Sequence, residues 1–135
     1  MKKLTPILIV DEIEPCLPLW DELGFERTLP VPSPSNPDKL AFIAVRHGDL
    51  EIMYQSREGL EADIPQAASE SFRAPLYIEV EDLAAIEPIL AKHPPFFPKR
   101  ETFYGATEIG IKDHGGHLLT FAEMSPAPAD GEAKS

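Results

Sequence analysis

Two histidines in the run "DHGGH" (113–117) and a glutamate in the alternating run "LEIMYQ" (50–55) are of the types that hold metal ions. A His-x-x-His pair chelates well on a helix, where positions three apart share a face. Here two glycines stand between His114 and His117, so the spacing reads as a hairpin turn, with Gly115 and Gly116 supplying positive φ and Asp113 as a turn residue. Glu51 would act as a lone base only if buried, and otherwise reads as a solvated or paired carboxylate. Cys16 is the single thiol; it falls in a helical apolar pattern and reads as a small core residue. There is no nucleophile elbow and no glycine-rich phosphate loop. Aromatic and soft side chains offer a different chemistry, stacking on a planar ligand and cation–π attraction.

The elements that must position these residues follow from periodicity. "TPILIV" (5–10) is an apolar strand; the acids before Pro15 mark a helix start, with Ile13, Leu17 and Trp20 on one face and Gly24 as terminator. "FERTL" (25–29) suits a strand, and the four prolines of "PVPSPSNPDK" (30–39) predict a loop. "LAFIAVRHGDLEIMYQ" (40–55) reads as a hairpin turning at His47, Gly48 and Asp49. The polar stretch 56–73 reads as a surface connection with one helical turn. The same order then returns: strand "PLYIEV" (75–80), helix "EDLAAIEPILAKH" (81–93), strand "PPFFPKRET" (94–102), and a hairpin of "ATEIGIK" (106–112) with "HLLTFAE" (117–123).

Sliding the chain over itself by seventy positions places Leu8 on Ile78, Val10 on Val80, Ile13 on Leu83, Trp20 on Leu90 and Pro18 on Pro88. The expectation is an α+β domain over 1–125 made of two βαβββ repeats, at 4–57 and 74–124 with a linker at 58–73, forming a curved mixed sheet or half-barrel around a cavity. The polar, Pro-rich stretch 126–135 predicts a disordered tail. Alternation puts Phe42, Ala44 and Arg46 on one sheet face, and Glu51, Met53 and Gln55 opposite to Leu50, Ile52 and Tyr54. It does not say which set meets the cavity.

Composition narrows the function. A net charge of −11, with twelve scattered Lys and Arg, argues against nucleic-acid binding and is compatible with a cationic ligand. No apolar run reaches the ~20 residues of a membrane helix, and the short apolar run after the basic start, followed at once by acids, does not resemble a signal peptide. With a single cysteine, these features predict a cytoplasmic protein.

The opening "ILIVDEIEPCLPLWDELGFE", the middle strand "PLYIEVEDL" and the closing "YGATEIGIKDHGGHLLTFAE" together resemble the vicinal oxygen chelate superfamily, which includes glyoxalase I, extradiol dioxygenases and bleomycin-resistance proteins. Glu12, Leu19 and Trp20 stand in the family's Asp, Phe and Tyr places. Tyr104, Gly105, Asp113, Gly116, Phe121 and Glu123 match its closing motif, where Asp-Pro-Asp-Gly-Asn has become Asp-His-Gly-Gly-His. The resemblance implies four metal-ligand positions, which fall here on Thr5, Glu51, Pro75 and Thr120. One carboxylate among them does not make a metal site, so no metal and no cofactor is expected.

The expected function is that of the bleomycin-resistance-like branch: a homodimer that binds a small organic molecule, of cationic or aromatic character, and sequesters it without catalysis. The implied wall residues are Phe42, Glu51, Met53, Tyr77, Phe103, Tyr104 and Phe121, with Trp20 assigned to the core. The alternatives are a metal-dependent lyase or dioxygenase with an unusual ligand set, for instance Glu51 with His117, and a protein whose sheet faces serve only dimerisation or a protein partner.

Overall fold

The computed structural model describes residues 1–126; the remainder of the stretch expected to form a disordered tail, 127–135, lies outside the described residues. Two four-stranded mixed sheets carry the chain. In sheet A, β1 (Ile7–Val10), β2 (Glu26–Pro32), β3 (Leu40–His47) and β4 (Leu50–Ser56) take the order β1-β4-β3-β2. In sheet B, β5 (Leu76–Glu79), β6 (Pro95–Glu101), β7 (Ala106–Lys112) and β8 (Leu118–Met124) repeat it as β5-β8-β7-β6. Within each sheet the first strand pairs parallel to the last and the other pairings are antiparallel. The duplicated βαβββ unit expected from the sequence is present.

One core joins the halves. Helix α1 (Leu17–Glu22), entered by a short 3₁₀ turn, buries Leu17, Leu19 and Trp20, while helix α3 (Leu83–Leu90) buries Leu83 and Leu90. From sheet A they meet Leu8, Val10, Ile43, Val45, Ile52 and Tyr54, and from sheet B Ile111, Leu119 and Phe121. Period-two alternation then leaves the other face of each sheet turned away from this core. Pro18 sits in the first turn of α1, where a missing N–H costs nothing, whereas its repeat partner Pro88 lies inside α3.

Three sequence expectations need correction. Strand β2 continues through Pro30, Val31 and Pro32, pairing Val31 with Phe42 and Pro32 with Leu40. Proline is tolerated because β2 is an edge strand with a register shift after Thr28, next to Leu29 at φ 55°. The linker is also more than a connection. Helix α2 (Arg57–Asp63) is capped by the Ser56 hydroxyl, which accepts from the Gly59 N–H, and a 3₁₀ turn follows at Pro65–Ser69. In the turn at 113–116 only Gly116 has positive φ; Gly115 is glycine for space, since a Cβ there would stand 2.2 Å from Val10 Cγ1.

Candidate functional site

The face of sheet A that turns from the core carries Ile7 and Ile9 on β1, Phe42 on β3 and Gln55 on β4, joined by the register Ile9↔Gln55↔Phe42. Helix α2 and the turn after it cross this face, anchored by buried Leu60 and Ala67. Between them lies a groove of about 850 Å³. Its apolar walls are Ile7, Ile9, Phe42, Leu60, Ile64 and Phe72; Gln55, Gln66, Asp63 and Glu70 supply its polar groups, and among the described residues no Lys or Arg lines it. Such a concave apolar space with a few placed polar groups is the usual form of a small-molecule site.

Of the seven wall residues expected from sequence, the groove contains Phe42. Glu51 and Met53 stand on the same open face of β4, beyond Gln55. Tyr77 is on the open face of sheet B, paired with Thr120, and Phe103 and Tyr104 form the turn between β6 and β7. Phe121 faces the other way: it is 1% exposed, belongs to the core with Ile78 and Ile109 beside it, and lines no open face. The alternation of "HLLTFAE" allows either facing; its pairing to Ile78 decides it. The groove residues missed by sequence reasoning are Ile7, Ile9 and Gln55 on the strands, and the rest come from the linker. Leu60 and Ile64, four apart in a polar run, with Phe72 eight further on, were the available signal.

The open face of sheet B carries a second constellation that the sequence did not reveal. Glu108 is fully buried, yet its carboxylate accepts from Arg100 Nε at 3.1 Å and Nη2 at 3.0 Å, from Tyr77 at 2.6 Å, and from Tyr104. Burial works against ionisation of Glu108, but the hydrogen bonds from Tyr104, Tyr77 and Arg100 outweigh it and hold the carboxyl below the usual carboxylate range. Burial, then the Glu108 bond, pushes the Tyr77 phenol up, so it stays a proton donor. Arg100 in turn stacks on Phe97, 4.1 Å from the ring centroid, and Phe97 lies where a side chain on Gly110 would otherwise be. The fully exposed Phe103 ring meets Tyr104 edge-on at 5.1 Å, completing an aromatic platform.

The metal positions implied by the resemblance do not fit a metal. Thr5 stands just before β1 and Pro75 just before β5, while Thr120 is on the open face of sheet B. Glu51, the one carboxylate, is already paired with Lys3 Nζ at 2.5 Å, and that hydrogen-bonded ammonium holds its carboxyl below the usual range. His117 does not join it. The ring is buried with Nε2 2.9 Å from the Ile9 carbonyl, so Nε2 carries the proton, and its backbone N–H donates to Asp113. His114 packs edge-on to His93 at 6.2 Å. Among the described residues no three His, Cys, Asp or Glu side chains converge on one point.

No protein-family model matches the sequence, and no curated protein matches it. Solved structures do. A glyoxalase/bleomycin resistance protein/dioxygenase family enzyme from Burkholderia phytofirmans PsJN is 16% identical with a TM-score of 0.70, over 90% of this chain and 97% of its own. A bleomycin-binding protein complexed with bleomycin is also 16% identical, with a TM-score of 0.63 over 93% of this chain and all of its own. A protein from Pseudomonas aeruginosa reaches a TM-score of 0.71 at 18% identity, over 93% of this chain and all of its own. The chain therefore has the glyoxalase/bleomycin-resistance fold, over 90–93% of its length.

Proposed function

We infer that this chain binds a small organic molecule with an apolar, planar body and a cationic group, and holds it without changing it. The observation that carries this is the groove over sheet A, whose walls are apolar and whose only charged side chains among the described residues are Asp63 and Glu70. A bound cation would pair with those acids while Phe42 and Phe72 contact its body. The likeness in fold to a protein that binds bleomycin supports a ligand-holding role, though fold alone does not fix function. Glu51 and Met53 extend the wall along β4.

The aromatic platform of Tyr77, Phe103 and Tyr104 lines none of this groove, and the groove is lined only by residues from the first half and the linker. A second copy of the chain is the partner that would bring platform and groove together, so the binding unit is a homodimer.

Thermal melts of the purified protein with a panel of cationic aromatic compounds test the reading. A ligand of the native state raises Tm, by a stabilisation of about 2.7 kcal/mol at a hundredfold excess over Kd. Phe42→Ala and the pair Asp63→Asn with Glu70→Gln should each reduce the shift. No shift from any cationic aromatic would overturn it in favour of sheet faces that serve only dimerisation or a protein partner, and near-stoichiometric metal on elemental analysis would overturn it in favour of the lyase or dioxygenase alternative.

A further inference from the structure

Beside the main groove, between the linker and the edge of β1, lies a crevice of about 320 Å³. The two spaces share Ile7 and Phe72 in their walls, so they adjoin at these side chains. The crevice is lined otherwise by Leu8, Ser71, Arg73, Ala74 and His117, with no acidic side chain among the described residues, although the chain carries 23 Asp and Glu. That separates it from the groove, which has two acids and no cation.

Arg73 is the group that gives the crevice its character. It donates Nη1 to the Gly116 carbonyl at 2.9 Å and has no carboxylate partner among the described residues. A guanidinium has five donors, so most of its fork is uncommitted. Gly116 holds φ +86°, which favours glycine, and its missing Cβ, which would stand 2.8 Å from Nη1, leaves the guanidinium room to approach the turn. The linker is thus pinned to the β7–β8 turn by a cation that still faces a crevice adjoining the binding groove.

We propose that this crevice is an anion subsite, and that the ligand is a zwitterion whose cationic body lies in the groove while a carboxylate or similar acidic group passes Phe72 to Arg73. The inference rests on the groove reading above and names the ligand class for it. A carboxylate matches the planar fork of arginine, and charge-assisted hydrogen bonds of this type contribute about twice what neutral ones do.

The test uses rhodamine 6G, a planar cation carrying an ethyl ester, and its free acid, in which a carboxylate replaces the ester on the same body. Fluorescence anisotropy with the full chain should show the free acid binding roughly tenfold tighter or more, from about 1.5–3 kcal/mol for a hydrogen bond to a charged group. Arg73→Gln should abolish that preference and leave the ester's affinity unchanged. Arg73→Lys should retain part of it, and Lys112→Gln, with the same change in net charge, should retain all of it. A preference that survives Arg73→Gln, or none in the natural chain while the ester binds, overturns the anion subsite and leaves the groove standing. Failure of both dyes to bind overturns the groove and the subsite together.

Discussion

The hydroxyl of Tyr54 accepts from Trp20 Nε1 at 2.9 Å and donates to Asp113 Oδ2 at 2.9 Å, so removing one oxygen orphans two buried groups. Asp113 meanwhile accepts from the backbone of Gly115 and His117, fixing the turn of the second half against the core of the first. Tyr54→Phe should cost about 1–3 kcal/mol in urea unfolding without a change in m-value, because shape is kept while the partners lose their bonds. A cost near zero would mean the network contributes nothing net. Cys16 gives a pH prediction. Burial, then the charge of Asp113, pushes its thiol from 9.0 up to about 12. Above pH 9 the unfolded chain therefore releases this proton while the folded chain keeps it, and stability falls as pH rises from 9 toward 12. The alkaline fall in Tm should be shallower in Cys16→Ala, and the native thiol should resist alkylation at pH 8. The sequence placed Cys16 in the core through its helical register. It could not place Tyr54 in a network whose members lie 34 and 59 positions away.

Secondary structure was legible wherever a period repeated. The turn at Gly48, the stop at Gly24 and the return of the whole pattern seventy residues on all appear in the structure, with both glycines at positive φ. Pro30 and Pro32 misled because proline excludes a central strand but not an edge with a bulge, and edge position is a property of the assembled sheet. The linker misled for a similar reason: a short helix in a polar run is held by what it covers. Leu60 is the one buried side chain of α2, and it faces the groove. Leu60→Ala should lose about 2–5 kcal/mol, with faster hydrogen exchange confined first to residues 57–69. Uniform acceleration across both sheets would instead make α2 part of the global folding unit. Gly115 poses the matching constraint in the second half, where any side chain displaces Val10 and loosens the turn that His117 ties to β1.

At the scale of the whole molecule, duplication leaves two sheet faces turned from one shared core, and they differ in chemistry. The face of sheet A is roofed by the linker and encloses an acid-rimmed groove, whereas that of sheet B presents aromatics around a neutralised Glu108. The linker has no counterpart after β8 within the described residues, so the symmetry of the strands does not extend to what covers them. A stable interface needs about 800 Å² from each partner with aromatic anchors near its centre. Phe103 is the strongest anchor candidate, being 100% exposed and making its one aromatic contact with Tyr104. The natural chain should run as a dimer by light scattering, and Phe103→Asp as a monomer with an unchanged far-ultraviolet spectrum, since the position packs against no core residue. If groove and platform meet across that interface, the same variant loses affinity for a cationic dye despite gaining an acid. A monomeric variant that binds the dye as well as before would place the whole site within one chain. A variant that stays dimeric would move the interface away from sheet B.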